Sequence, residues 1–276
     1  SLQRLEARAG MQLFNRVRGR LQPTPEAHAF LLEVDRCFVG LEALEHRLRS
    51  LKLYGVGHLS LASFPAFGTS FLPRALARLQ AEMPSTTISL QVLSSQGVRD
   101  RLLSGQCDIG LMADESSTSG IDFSIFAQID GAIVMHNKHP LCAQRMIRAA
   151  ELANWPFLSL NPEDAARRRL EVALAERAIQ PAVKLETQYG NTICELVLSN
   201  VGIGLVNPIS ALSYVNRGLV MRKFEISIPF NCIMGLPAGK PLSSHAKDFI
   251  RMMRQQLHAD ITQCSESLGG ALGSGI

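Results

Sequence analysis

The chain has 276 residues, 46% of them hydrophobic and 19% charged. That composition excludes a disordered chain, and no apolar run reaches the ~18 residues that a bilayer crossing needs. The net charge of +4 does not by itself mark a nucleic-acid binder, so the charge has to be read along the chain.

The first twenty residues hold Arg4, Arg8, Arg16, Arg18 and Arg20 against one acid, Glu6. Such clustering suits phosphate neutralisation, and equally a solvated basic face. Leu2, Leu5 and Ala9 fall at helical spacing before Gly10, a plausible stop. Leu13 and Phe14 follow as a buried-looking pair, then the basic turn Arg16–Arg20 around Gly19. Thr24 and Pro25 read as the N-cap and first position of the next helix.

From Glu26 to Lys52 one helical pattern runs without proline. Its apolar positions Phe30, Val34, Cys37, Leu41, Leu44, Leu48 and Leu51 step by four and three, an unbroken heptad seam. Left in water, each large apolar side chain on that seam forfeits ~1.5–3 kcal/mol. The seam therefore reads as a dimerising linker helix, or as a helix packed along its own domain. Gly55 and Gly57 form a candidate hinge.

After the hinge, strands alternate with helices, which argues for parallel α/β units. Strands are expected at His58–Phe64, Ile88–Leu93 and Asp108–Met112. Helices are expected over 69–83 and through Val98–Leu103. A second set follows: strands Phe157–Leu160, Val183–Thr187 and Ile203–Val206, with helices Glu163–Ala178, Asn191–Ser199 and 209–216. Strand-like runs at 219–222 and 230–236 precede a last helix over about 243–259. The Gly/Ser-rich tail 265–276 reads as disordered.

No enzyme motif is present: no GxSxG, no HExxH, no P-loop. Gly202-Ile-Gly204 continues as Leu-Val-Asn207, so the third glycine of a dinucleotide fingerprint is missing. The cysteines Cys37, Cys107, Cys142, Cys194, Cys232 and Cys264 are dispersed, without metal-ligand spacing. They read as reduced core thiols of a cytoplasmic protein that needs neither metal nor cofactor. No signal peptide or membrane segment is visible.

Leu5-Glu6, Gly10, Leu13-Phe14-Asn15-Arg16 and Leu21–Ala27 with Thr24-Pro25-Glu26 closely resemble the LysR-type family of bacterial transcription regulators. The resemblance covers nearly the whole chain. It extends in the C-terminal part to the branch of lysine-biosynthesis and opine-catabolism regulators, through Glu186–Gln188, Thr192–Cys194 and Val201–Pro208. It implies that residues 1–24 are the end of a winged helix-turn-helix domain that begins before Ser1. Ser1, Gln3 and Arg4 would then lie on the recognition helix and Arg16, Arg18 and Arg20 on the wing, facing double-stranded promoter DNA. The residues that normally touch base edges would precede Ser1, leaving this stretch unable to read DNA specifically.

The resemblance further implies a linker helix over 25–54 and an effector-binding domain over 57–264, folded like the type 2 periplasmic binding proteins. Lobe one is expected at 57–135 and 238–264, and lobe two at 136–237. A ligand would lie between the lobes, hinged by two crossing strands. Strand C-termini and helix N-termini offer free N–H groups and a favourable dipole to an anion. That places Ser63, Phe64, Pro65, Thr69 and Ser95 in lobe one, and Asn161, Gln188, Asn191, Thr192 and Asn207 in lobe two, at a site for a small polar ligand. The same hydroxyls and amides could serve only as helix caps. Phe64, Pro65 and Phe67 read equally as pocket lining or core. Asp114, Asp130 and Asp164 read as ammonium partners or surface acids, and Arg167–Arg169 as a solvated helix face.

The expected function is a LysR-type transcription regulator, a homodimer or homotetramer controlled by an amino-acid-like effector such as a lysine-, diaminopimelate- or opine-like compound. A solute-binding protein of the same two-lobed fold is the alternative. An enzyme on this scaffold is a third reading.

Overall fold

In the computed structural model of the chain, residues 2–17, 19–31, 34, 48 and 58–269 are described. The Leu2–Ala9 helix ends at Gly10, whose φ of 66° only glycine adopts without cost. Strands β1 (Phe14–Val17) and β2 (Arg20–Pro23) pair antiparallel as a hairpin, the expected wing. The carboxylate of Glu6 ties that hairpin to the helix by accepting from the N–H groups of Leu13 and Phe14 at 2.8 and 2.9 Å. Thr24 caps the next helix as read, accepting from Ala27 N at 3.2 Å, and residues 25–31 are helical. Of the heptad seam, Cys37, Leu41, Leu44 and Leu51 lie outside the described residues, as do Gly55 and Gly57. Phe30 and Leu48 are exposed.

Two sheets carry the rest of the chain. The first contains β3 (His58–Ser63), β4 (Thr87–Val92), β5 (Ile109–Ala113), β6 (Ile121–Asp130) and β13 (Pro229–Pro237), in the order β4-β3-β5-β13-β6. β3 runs parallel to β4 and β5, while β13 runs antiparallel to β5 and β6. The second contains β7 (Ala132–His136), β8 (Met146–Ile147), β9 (Phe157–Leu160), β10 (Val183–Thr187), β11 (Ile203–Val206) and β12 (Leu219–Phe224), in the order β10-β9-β11-β7-β12-β8. The parallel units β3–β5 and β9–β11 are wound with the helices Phe71–Glu82, Ser95–Leu103, Ala165–Ala175 and Gly190–Leu198.

The chain changes sheet at Gly131 and returns between Ile228 and Pro229. Gly131 N donates to Ile228 O at 2.9 Å, so the two crossings are joined. This corrects the expected lobe limits of 135 and 237. β7 belongs to the second sheet, and β13, expected in lobe two, lies inside the sheet of lobe one. The apolar run of β13 could have served either lobe; its pairing with β5 and β6 decides the matter. The sequence pattern predicts none of β6, β7 and β8.

The final helix spans Ser244–Ser267, eight residues beyond the expected end. Residues 265–268 therefore do not begin a disordered tail. Ile261, Cys264 and Leu268 continue the apolar stripe of Met253 and Leu257, and Cys264 and Leu268 are buried. Burial of that stripe outweighs the low helix propensity of the Gly/Ser composition. The helix packs on the Phe71–Glu82 helix of lobe one and on Pro208–Val215 of lobe two.

Gly202 and Gly204 serve packing, which explains why they lack the rest of a nucleotide motif. A Cβ at Gly202 would stand 2.3 Å from Pro156 O, and one at Gly204 would stand 2.5 Å from Ile193 Cγ2. Both glycines let β11 lie close against its neighbours.

Candidate functional site

A cleft of about 630 Å³ opens between the two lobes, within the size range of small-molecule sites. Its walls are the C-terminal ends of the parallel strands, as the fold requires. β3 leads to Phe64 and Pro65, β4 to Ser94–Gln96 and β5 to Asp114–Ser117. Across the cleft β9 leads to Asn161, β10 to Gln188 and β11 to Asn207.

Six of the ten expected effector-binding residues line this cleft: Phe64, Pro65, Ser95, Asn161, Gln188 and Asn207. Some are also caps. Asn207 Oδ1 accepts from Ile209 N at 2.9 Å, whereas the Ser95 hydroxyl accepts from Ala113 N at 3.0 Å and holds β5. Phe67 is core, stacked behind Phe64 with ring centroids 5.4 Å apart.

The other four expected residues do not line it. Ser63 is fully buried, and its hydroxyl donates to Phe64 O at 3.0 Å. Thr69 donates to Pro65 O at 2.8 Å and accepts from the Asn191 amide, so these two residues join the lobes outside the cleft. Thr192 is exposed, because its helix turns Ile193, Cys194 and Val197 into the core. Replacing Thr192 by Val should therefore leave effector affinity within about twofold of wild type in titration calorimetry. A tenfold loss, the scale of one hydrogen bond to a charged group, would return Thr192 to the site.

The cleft is more charged than the sequence pattern conveys. Asp114, Glu115, Glu163 and Asp164 line it with one base, Arg169. The reading of Arg167–Arg169 as a solvated face fails for two of the three. Arg167 is buried and bonds Ser159, Leu160 O and Glu171, while Arg169 reaches across the cleft to pair with Asp114. Asp130 lies at the crossing, accepting from Ser227 Oγ at 2.6 Å. Burial pushes the carboxyl of Asp164 above its ordinary range. Glu115 is exposed as a whole, but protein crowding its carboxyl pushes that group up too, helped by Asp164 and Asp114. Asp114-Glu115 stands at a strand end like Ser94-Ser95, and that positional equivalence was the signal available in the sequence.

Among the described residues, no three His, Cys, Asp or Glu side chains are grouped to hold a metal ion. Burial pushes the thiols of Cys107, Cys194 and Cys264 up to about 12, so they stay protonated. Among the same residues no helix is long and apolar enough to cross a membrane.

At the N-terminal end Arg4, Arg16 and Arg20 are exposed, with Arg16 and Arg20 on the hairpin. Ser1, Arg18 and the side chain of Gln3 lie outside the described residues.

The profile of the LysR substrate binding domain matches residues 55–258. Over 270 residues the chain is 30% identical to the transcriptional activator protein LysR of Escherichia coli, covering 98% of this chain and 87% of that protein. This chain belongs to the LysR-type family of transcription regulators. Further LysR-type relatives include NocR of Agrobacterium tumefaciens, 24% identical over 92% of this chain and 85% of its own length. OccR of Rhizobium meliloti, the octopine catabolism/uptake operon regulatory protein, is 28% identical over 79% of this chain and 72% of its own. A mutant of OxyR from Corynebacterium glutamicum shares the fold with a TM-score of 0.64 at 20% identity, over 99% of this chain and 87% of that one. HinK, a LysR family regulator from Pseudomonas aeruginosa, does so with a TM-score of 0.63 at 18% identity, over 93% and 86%. The LysR-type chain thus carries an effector-binding domain of type 2 periplasmic-binding architecture. The match to the activator LysR includes the basic N-terminal segment, which the solute-binding alternative leaves without a use.

Proposed function

We propose that this regulator senses a small amino-acid-like compound of the lysine, diaminopimelate or opine kind, bound between its lobes. The observation that carries this reading is the cleft lining. It offers strand-end hydroxyls, amides and Arg169 to a carboxylate, and four acids to an ammonium group. The relationship to the octopine-operon regulator OccR supports the same class. In this reading the protein is cytoplasmic, performs no catalysis and binds promoter DNA in its full-length form through the recognition helix and the wing.

A thermal-shift screen of amino acids and their derivatives tests the effector class. A compound that binds only the folded form stabilises it by ~2.7 kcal/mol at a hundred times its Kd. If no amino acid, diamino acid or opine raises Tm, the effector lies in another chemical class. A gel shift of the full-length protein with DNA from beside its own gene tests the regulator itself.

The homo-oligomer would pair along Phe30, Val34, Cys37, Leu41, Leu44, Leu48 and Leu51. Exposure of Phe30 and Leu48 in the single chain supports this, since a seam packed on its own domain would hide them. Replacing Leu41 and Leu48 by Asp should place unpaired charge in the seam and move the sedimentation coefficient toward the monomer. A double variant that sediments like wild type would remove the seam from the interface.

A further inference from the structure

One ion pair crosses the cleft, and its two members come from different lobes. Arg169, on the Ala165–Ala175 helix of lobe two, pairs with Asp114, which follows β5 in lobe one. Arg169 Nη1 also donates to Pro229 O at 2.9 Å. Asn231 Nδ2 donates to Asp114 Oδ2 at 2.6 Å. That amide orientation follows from chemistry, because a carboxylate oxygen needs a donor. Asn231 Oδ1 is then a buried acceptor on the cleft wall with no donor among the described residues. Glu115 of lobe one and Asp164 of lobe two complete the acidic side, and both carboxyls are raised by burial.

Arg169 is the sole base among the lining residues, and it is already engaged. A ligand carboxylate that takes it must displace Asp114. Released into a group that includes Glu115 and Asp164, Asp114 would be an unpaired charge among like charges, which is costly in a partly buried site. A ligand that brings its own ammonium group removes that cost. We propose that the effector binds by exchanging partners with this pair. Its carboxylate takes Arg169, and its ammonium group settles between Asp114, Glu115 and Asp164 and donates to Asn231 Oδ1. The proposal rests on the cleft being the effector site and adds what selects the ligand. A zwitterion keeps every charge paired, whereas a lone carboxylate strands Asp114. Selectivity arises from the penalty on the wrong ligand. The exchange also trades a direct bond between the lobes for one made through the ligand, so occupancy resets how the lobes are joined.

Titration calorimetry with three probes tests this: L-lysine, hexanoate (which lacks the ammonium groups) and 1,5-diaminopentane (which lacks the carboxylate). Wild type should bind L-lysine and bind hexanoate far more weakly. Arg169→Met should weaken L-lysine roughly ten- to hundred-fold, the scale of a lost charged hydrogen bond, and leave 1,5-diaminopentane undiminished. Asp114→Asn should weaken L-lysine and strengthen hexanoate, because Arg169 no longer has a charged competitor. A loss of folding would lower all probes together, so the crossed pattern reports the exchange alone. If wild type binds L-lysine and both variants shift every probe by the same factor, or shift none, the exchange is wrong while the effector reading stands. If wild type binds hexanoate as tightly as L-lysine, the exchange is also wrong. If wild type binds none of the probes and no compound of the amino-acid panel, both fall.

Discussion

Replacing Arg74 by Leu should cost the folded protein about 3 kcal/mol, the lower end for breaking a buried ion pair, because Arg74 itself keeps 28% of its side-chain surface in contact with solvent. Its partner Asp260 lies on the final helix and is 1% exposed. Arg74 Nη2 donates to Asp260 Oδ2 at 2.6 Å, and Nε donates to both carboxylate oxygens at 3.2 Å. Without the guanidinium, Gln256 remains as the side-chain donor among the described residues, at 2.7 Å. A buried carboxylate held by one amide is what makes such single substitutions costly. At ~2–4 °C per kcal/mol for a domain of this size, Tm should fall by ~6–12 °C. The same substitution removes the 3.2 Å bond from Arg74 Nη1 to Ser213 Oγ in lobe two. Replacing Arg74 and Asp260 together by Leu should recover much of the loss, since the pair as a whole need not outweigh its desolvation. A thermal melt of the two variants decides. A single variant that melts with wild type would mean that Asp260 does not depend on Arg74.

The second large effect is expected on DNA. Replacing Arg16, Arg18 and Arg20 by Ala in the full-length protein should flatten the log–log salt dependence of DNA binding by ~2.7, at ~0.9 for each lost phosphate contact. Near 0.1 M salt that amounts to an affinity loss on the order of a hundredfold or more, alike for specific and unrelated sequences. Arg16 and Arg20 stand exposed on the β1–β2 hairpin, where a phosphate can reach them. Fluorescence anisotropy over a salt series reads the slope directly. An unchanged slope would make these arginines surface charge, with no part in the interface.

Most of the fold was legible where punctuation and hydrophobicity agree. β9 and β11 have the expected bounds because Pro156, Gly202 and Pro208 frame short apolar runs, and β10 because Val183 and Leu185 alternate with polar residues after Pro181. β6 was missed for a physical reason. It is a sheet edge with Phe123 and Ile125 exposed, and its register shifts opposite Cys232 and Ile233, so its apolar residues do not alternate cleanly. The heptad seam was legible as a pattern, but what it packs against is not written in the sequence.

The site was half legible. Strand-end rules found Ser95, Asn161, Gln188 and Asn207, because the residues that follow the parallel strands open onto the cleft whether or not they also cap a helix. They misplaced Thr69, Asn191 and Thr192, because such rules give the end of an element and not the direction in which a side chain leaves it. Asp114 and Arg169 lie 55 positions apart, and a charge pair formed across two lobes leaves no local pattern. Only the meeting of two sheets brings them together.

The joined crossings at Gly131 and Ile228 make residues 131–228 a single uninterrupted insertion in the first lobe, with its two ends a hydrogen bond apart. Asp130 and Pro229 are already opposite one another as neighbours in an antiparallel ladder. A two-residue turn between them would close β6 and β13 into an ordinary hairpin. In genetic terms the second lobe is a cassette: it enters and leaves the first at one place, so a change in its length need not break the pairing of β6 with β13. The wall bearing Arg169, Gln188 and Asn207 can then diverge while the wall bearing Asp114 is retained. A scaffold of this kind can acquire a new inducer by recombination at two adjacent points of the chain.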